Sequence, residues 1–154
     1  MLRQGCRLIP FERSIPAGVQ ISAELMWRRE GWLELSYGVL ARAAKGIGVL
    51  KLPAGLKDGP QQGQRKDELW TTTCFEAFIA APGEQRYWEV NLAANGDWAL
   101  YRFDGYRSGQ TQQELSKPPK VRLQRGLHQL RLDARIAFCL LYTSPSPRDS
   151  SRSR

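Results

Sequence analysis

The chain has one histidine, His128, in 154 residues, so a site built on several histidines, metal-binding or catalytic, is excluded for it. Its three cysteines, Cys6, Cys74 and Cys139, form no CxxC pair and no even framework. That argues against a zinc site or a disulfide scaffold and fits a reducing, cytoplasmic setting, with Cys74 a plain buried thiol. No apolar run approaches the roughly 20 residues that a membrane helix needs, and the N-terminus lacks the apolar stretch of a signal peptide. The formal charge is +8, yet no block of five Lys or Arg occurs. Scattered cations such as Arg28-Arg29, Arg65-Lys66, Lys120 and Arg122 read as a solvated basic surface, not a nucleic-acid groove. No GxSxG, P-loop or HExxH motif is present, and no segment carries a helical period.

What remains is strand-like. Hydrophobic residues make up 42% and charged residues 25%, the balance of one ordinary globular domain. Val19, Ile21, Ala23, Leu25 and Trp27 alternate with more polar neighbours, Glu30-Gly31 makes a turn, and Leu33, Leu35, Tyr37 and Val39 resume the alternation. Period two on both sides of a tight turn predicts a hairpin over 19–40. Residues 41–68 are broken by Gly and Pro and predict a long loop with a short strand at Gly48–Leu52. Strands are predicted at 74–80, 87–93 and 97–103, punctuated by Pro82-Gly83 and Asn95-Gly96, and a last hairpin at 121–123 and 127–134 around Gly126. Many short strands at regular spacing predict an all-β antiparallel sandwich.

The last sixteen residues read as foreign. From Cys139 to Asp149 the chain runs CLLYTSPSPRD, and all eleven residues match the codon-by-codon translation of a transposase library adapter. The expected division is a domain over 1–138 and a non-native tail over 139–154. The domain alone then carries a charge of +6, because the tail has three Arg and one Asp. On this reading the frame is cut near Phe138 and the C-terminal part is missing. A sandwich without its last strands leaves an open sheet edge and invites aggregation.

The segment Asp67-Glu-Leu-Trp70-Thr-Thr-Thr-Cys74-Phe-Glu76-Ala-Phe78-Ile is followed by Tyr87-Trp88-Glu-Val-Asn91-Leu and by Trp98-Ala-Leu-Tyr101-Arg102-Phe103-Asp104-Gly-Tyr106-Arg107. This pattern resembles the DOMON-like proteins, a bacterial family, most strongly over 67–107 and in outline over 8–136. The resemblance implies an immunoglobulin-like sandwich, truncated here at its C-terminus. It also places the chain near haem-binding cytochrome domains and family 9 carbohydrate-binding modules. In the sugar-binding relatives a Trp before a strand stacks on the sugar and a Glu six residues on bonds its hydroxyls. Trp70 and Glu76 have that spacing.

A sugar presents an apolar C–H face and a rim of hydroxyls, so it wants an aromatic plate and polar groups. By strand parity Glu76 and Phe78 share one face, Glu89 and Asn91 another, and Trp98, Leu100 and Arg102 a third. If register brings those faces together, Trp70, Glu76, Asn91, Trp98 and Arg102 form a sugar site on a non-catalytic module, with no cofactor. Each has a plainer role: Trp98 and Trp88 as core, Glu76 and Arg102 as a cross-strand ion pair, Asn91 as a backbone partner. The haem alternative needs axial ligands, for which Met26 and His128 are the available pair. Met26 falls off the apolar face of its strand, and His128 shares parity with Leu130 and Leu132 on the core face. A paired-carboxylate hydrolase built on Glu76 and Glu89 has no flanking motif behind it. A protein-interaction sandwich with no small ligand is the third alternative.

Overall fold

The structure, a computed structural model, describes residues 2–9 and 18–138. Among the described residues ten strands make two antiparallel sheets: β1 (Leu2–Leu8), β2 (Val19–Trp27), β3 (Trp32–Ala41), β4 (Gly59–Gln61), β5 (Cys74–Ala80), β6 (Tyr87–Ala93), β7 (Trp98–Phe103), β8 (Thr111–Gln112), β9 (Lys120–Arg125) and β10 (Gln129–Ala137). The larger sheet has the order β1-β2-β3-β10-β9-β4 and the smaller β5-β6-β7-β8. The two face each other as a β-sandwich.

Alternation explains the packing. Register pairs Ile21 with Val39, Ala23 with Tyr37 and Leu25 with Leu35, so the apolar residues of β2 and β3 share one face. Leu130, Leu132, Ala134 and Ile136 continue that face on β10, and Val121 and Leu123 on β9. From the other sheet come Phe75 and Ile79, then Trp88, Val90 and Leu92, then Trp98 and Leu100. Burying a side chain of this size stabilises the fold by about 1.5–3 kcal/mol. Tyr37 ties the layers: its hydroxyl donates to the Glu76 carbonyl at 2.8 Å, and burial holds its pKa above the usual phenol range. Phe138 is fully buried, edge-on to Trp27 at 5.6 Å and to Trp88 at 6.1 Å.

The hairpin and the three-strand meander lie where the sequence pattern puts them, and other elements differ. In place of a strand at Gly48–Leu52 there is a short 3-10 turn, Gly46–Val49. Gly46 has φ +52° and lies so close to the Leu127 carbonyl that a Cβ would stand 1.9 Å from its oxygen, which bends the chain out of the extended state. Three strands, β1, β4 and β8, have no sequence counterpart. β1 is exposed along its whole length, and β4 and β8 have three and two residues. Edge strands this exposed or short carry no hydrophobic period. Among the described residues β5 pairs with β6 alone, and Phe78 on it is 63% exposed.

Candidate functional site

The outward face of the smaller sheet collects the chemistry. Register sets Glu76 opposite Asn91 and Asn91 opposite Ala99. The next row is Phe78, Glu89 and Tyr101, and the one after it Ala80, Tyr87 and Phe103. Tyr87 and Phe103 stack at 4.8 Å, with Phe78 tilted against Tyr87 at 6.3 Å. One end of the face is thus aromatic, and the middle is made of carboxylates and an amide.

Two loop segments frame it. Residues 64–67 run beside the start of β7, where Trp98 N donates to the Gln64 carbonyl at 3.0 Å and Lys66 N to the Trp98 carbonyl at 2.9 Å. Gly63 allows this approach, since a Cβ there would lie 1.8 Å from the Gly96 carbonyl carbon. Arg65 then bonds Asp67 at 2.9 Å and sits over the Tyr101 ring at 5.7 Å, while the Tyr101 hydroxyl donates to the same Asp67. Arg65, with help from Tyr101, holds Asp67 below the usual carboxylate range. Burial and the Asp67 bond push Tyr101 up to about 12. The second segment is the 3-10 turn Leu69–Thr71, entered through Glu68 at φ +60°. Its Leu69 is buried on Ala93 and Ala99, with Cys74 and Tyr101 packed around them. The turn is thereby pinned to the face, and the next residue, Trp70, is left 68% exposed.

Glu76, Glu89 and Asn91 form the polar centre. Asn91 is 5% exposed, and its Nδ2 donates to Glu89 Oε1 at 3.1 Å. Its Oδ1 is buried with no hydrogen-bond partner. A buried acceptor left unpaired costs about 1–3 kcal/mol, and folded proteins seldom leave one so. Desolvation on the crowded face, then the charge of Glu89, raise the pKa of Glu76. Burial, then Glu76, push the Cys74 thiol up to about 12, so Cys74 is a half-buried, unreactive neighbour of the carboxylates. Among the described residues no Lys or Arg comes within ion-pair distance of Glu76 or Glu89. Nor does any group of three or more His, Cys, Asp or Glu there have the arrangement to hold a metal ion.

The expected site residues divide. Trp70, Glu76 and Asn91 belong to this face. Trp98 and Arg102 do not: Trp98 lies opposite Leu92 in the core, 8% exposed, and Arg102 lies opposite Trp88 on the inner side, reaching out to Asp104 at 3.4 Å. The cause is the loop between β6 and β7. A two-residue loop at Asn95-Gly96 would set Asn91 opposite Leu100 and Glu89 opposite Arg102. Instead Ala93 N bonds the Asp97 carbonyl at 2.9 Å across a three-residue loop, with Gly96 at φ +88°. One residue of slip exchanges the faces of a strand, so Asp97, Ala99 and Tyr101 take the places expected for Trp98, Leu100 and Arg102. Glu89, Tyr101, Arg65 and Asp67, with the aromatic end of Phe78, Tyr87 and Phe103, are members of the face that the sequence reading did not assign to ligand binding.

The haem pair does not fit. Met26 lies opposite Glu34 near one end of β3, while His128 sits in the exposed turn after β9, its Nδ1 2.9 Å from the Ala41 carbonyl at the other end. Seven residues of strand separate Glu34 from Ala41, roughly 23 Å, so Met26 and His128 cannot ligate one iron. His128 is not on the core face, because β10 begins one residue later, at Gln129.

No family model matches the chain. No curated protein matches it either. Among solved structures it is similar to a "putative carbohydrate-binding protein" from Bacteroides uniformis, at 12% identity and a TM-score of 0.57. The likeness covers 95% of this chain and 65% of that one, so this chain spans less than two thirds of the neighbour's length. At that identity the similarity establishes the β-sandwich fold.

Proposed function

We propose that this chain is a non-catalytic ligand-binding module of the DOMON-like type and that it takes a sugar or sugar-like molecule on the outward face of β5, β6 and β7. The observation that carries this reading is one face that holds an exposed indole, Trp70, and two carboxylates, Glu76 and Glu89, with no Lys or Arg within ion-pair distance of either carboxylate among the described residues. A polyol supplies donors to the oxygens of Glu76 and Glu89. Trp70, exposed on a turn that Leu69 anchors to the same face, offers the plate for the apolar side of the ring. The similar fold of the "putative carbohydrate-binding protein" from Bacteroides uniformis supports the sugar class.

Isothermal titration against a panel of mono- and oligosaccharides tests the proposal. Trp70→Ala should weaken the best ligand by roughly tenfold, the order of one lost stacking contact. Arg102→Ala, on the other side of the sheet, should leave its affinity within about twofold. Equal binding by wild type and Trp70→Ala would remove the stacking role, and silence across the whole panel would remove the sugar.

A further inference from the structure

Cations that lie far apart in the sequence meet on the outward face of the larger sheet. Register carries one row across it, from Arg7 through Ser22, Gly38 and Arg131 to Gln124. The next row reaches Arg122, and the one after it Lys120. The three anions of these rows are all engaged: Glu24 by Arg3 at 3.0 Å, Asp133 by Arg131 at 3.0 Å and Glu34 by Arg135 at 3.7 Å. Arg7, Arg122 and Lys120 are exposed and, among the described residues, have no carboxylate within ion-pair distance. They give this face three uncompensated positive charges, half of the +6 of residues 1–138. The same face is hollow. A cavity of about 480 Å³ is bounded by Arg7, Ser22, Gly38, Gln124 and Arg131. Another, of about 1020 Å³, is bounded by Glu24, Ser36, Asp133 and Arg122, together with Pro60 and Pro118. A Cβ at residue 38 would stand 2.8 Å from Ser22 Oγ, so glycine there leaves that hydroxyl open to the first cavity. A concave surface with an excess of one charge focuses its field on ligands of the other sign.

We propose that this face is a second binding site and that it takes an acidic glycan, a sugar chain that bears carboxylates. An arginine fork pairs with a carboxylate through two parallel N–H bonds, and Arg7 and Arg122 both have theirs to give. The two stand on β1 and β9, four strands apart in the sheet, roughly 19 Å at about 4.8 Å per strand. One sugar ring cannot reach both, so the ligand is a chain. Its hydroxyls meet the Ser22 hydroxyl and the Gln124 amide beside Arg7, and the carboxylates of Glu24 and Asp133 beside Arg122. A nucleic acid fits less well. The three rows carry no aromatic side chain on which a base could stack, and Glu24, Glu34 and Asp133 lie in the path of a continuous phosphate backbone.

The site is separate from the one on the smaller sheet and stands or falls alone. Octagalacturonate, neutral maltooctaose and an oligothymidylate of matching length are titrated calorimetrically into the 154-residue chain at neutral pH. Octagalacturonate should bind roughly tenfold more tightly than either of the others. Arg7→Gln and Arg122→Gln should each weaken it by roughly fivefold, and the double variant by about the product, because the two positions are too far apart to couple. Lys51→Gln combined with Arg107→Gln removes the same charge at exposed positions outside this face and should leave the affinity within about twofold. All four side chains are exposed, so the variants test binding and not folding. Maltooctaose binding as tightly as octagalacturonate overturns the acidic class. Oligothymidylate binding as tightly or more tightly overturns the glycan in favour of nucleic acid. Full affinity in the double Arg variant, or an equal loss in the Lys51 and Arg107 variant, overturns the site. Silence of both polyanions overturns the proposal whole.

Discussion

Phe138→Ala probes whether the last described residue completes the core. The ring is fully buried and meets two indoles edge-on, Trp27 of the larger sheet and Trp88 of the smaller. Truncating a buried Phe removes its transfer energy and leaves a cavity, together about 3–5 kcal/mol. Most of a small domain's net stability, about 5–15 kcal/mol, is of that same order. With a urea slope of about 2 kcal/mol/M the unfolding midpoint should drop by roughly 2 M. Phe138→Leu, which keeps most of the volume, should lose only about 1–1.5 kcal/mol. Urea titration followed by Trp fluorescence reads both, and near-ultraviolet circular dichroism of the first variant should flatten as Trp27 and Trp88 lose their fixed partner. A midpoint shift under about 0.5 M for Phe138→Ala would refute the reasoning, since no ring wedged between the sheets can be removed so cheaply. It would also undercut the division at residue 138, because a domain over 1–138 needs that position in its core.

Other expectations follow from single contacts. Gly63→Ala would place its Cβ 1.8 Å from the Gly96 carbonyl carbon, so it should cost about 2 kcal/mol or more; a thermal melt unchanged from wild type would show that the 64–67 segment is not seated on β7. Glu76 has its pKa raised in the fold, so it favours folding while protonated and loses that contribution as pH rises through its folded value. Glu76→Gln should therefore gain on wild type between pH 4 and pH 7, by on the order of 0.5 kcal/mol because solvent screens an exposed carboxylate; paired urea midpoints at the two pH values check the sign. Cys74, its thiol pushed up to about 12, should stay unlabelled by iodoacetamide at pH 8 while exposed Cys6 reacts, and peptide mapping of the alkylated chain reads this directly.

How much of this was legible in the sequence depends on which face a residue occupies. Where one side of a strand is buried, period two writes the element into the chain, as for Ile21 to Leu25 against Leu35 to Val39. β1 leaves no such trace because neither of its sides is buried. Trp70 and Glu76 were readable as a pair through a resemblance, but their surroundings depend on a segment, Gln64 to Asp67, that the sequence showed only as polar loop. What seats that segment is the close approach of Gly63 to Gly96, a contact between residues thirty-three positions apart.

The misplacement of Trp98 and Arg102 was avoidable on physical grounds. On β6 the large apolar residues are Trp88, Val90 and Leu92, all even-numbered, and on β7 they are Trp98 and Leu100, also even-numbered. In an antiparallel pair, residues directly opposite each other share a face. Putting both apolar sets in the core therefore requires even opposite even, which a two-residue loop at Asn95-Gly96 forbids and a three-residue loop allows. The alternative register would turn Trp98 and Leu100 outward at a loss of about 1.5–3 kcal/mol each, and would draw Tyr101 inward away from Asp67. No preference of Asn-Gly for a two-residue turn is large enough to offset that. The core thus fixes the loop, and the loop decides which side chains reach the outward face: Glu89 and Asn91 face outward because Trp88, Val90 and Leu92 face inward. Substitutions that shrink the buried apolar residues of the inner row, Trp88, Val90 or Leu92, should then loosen the outward row of the same strand without touching any of its atoms.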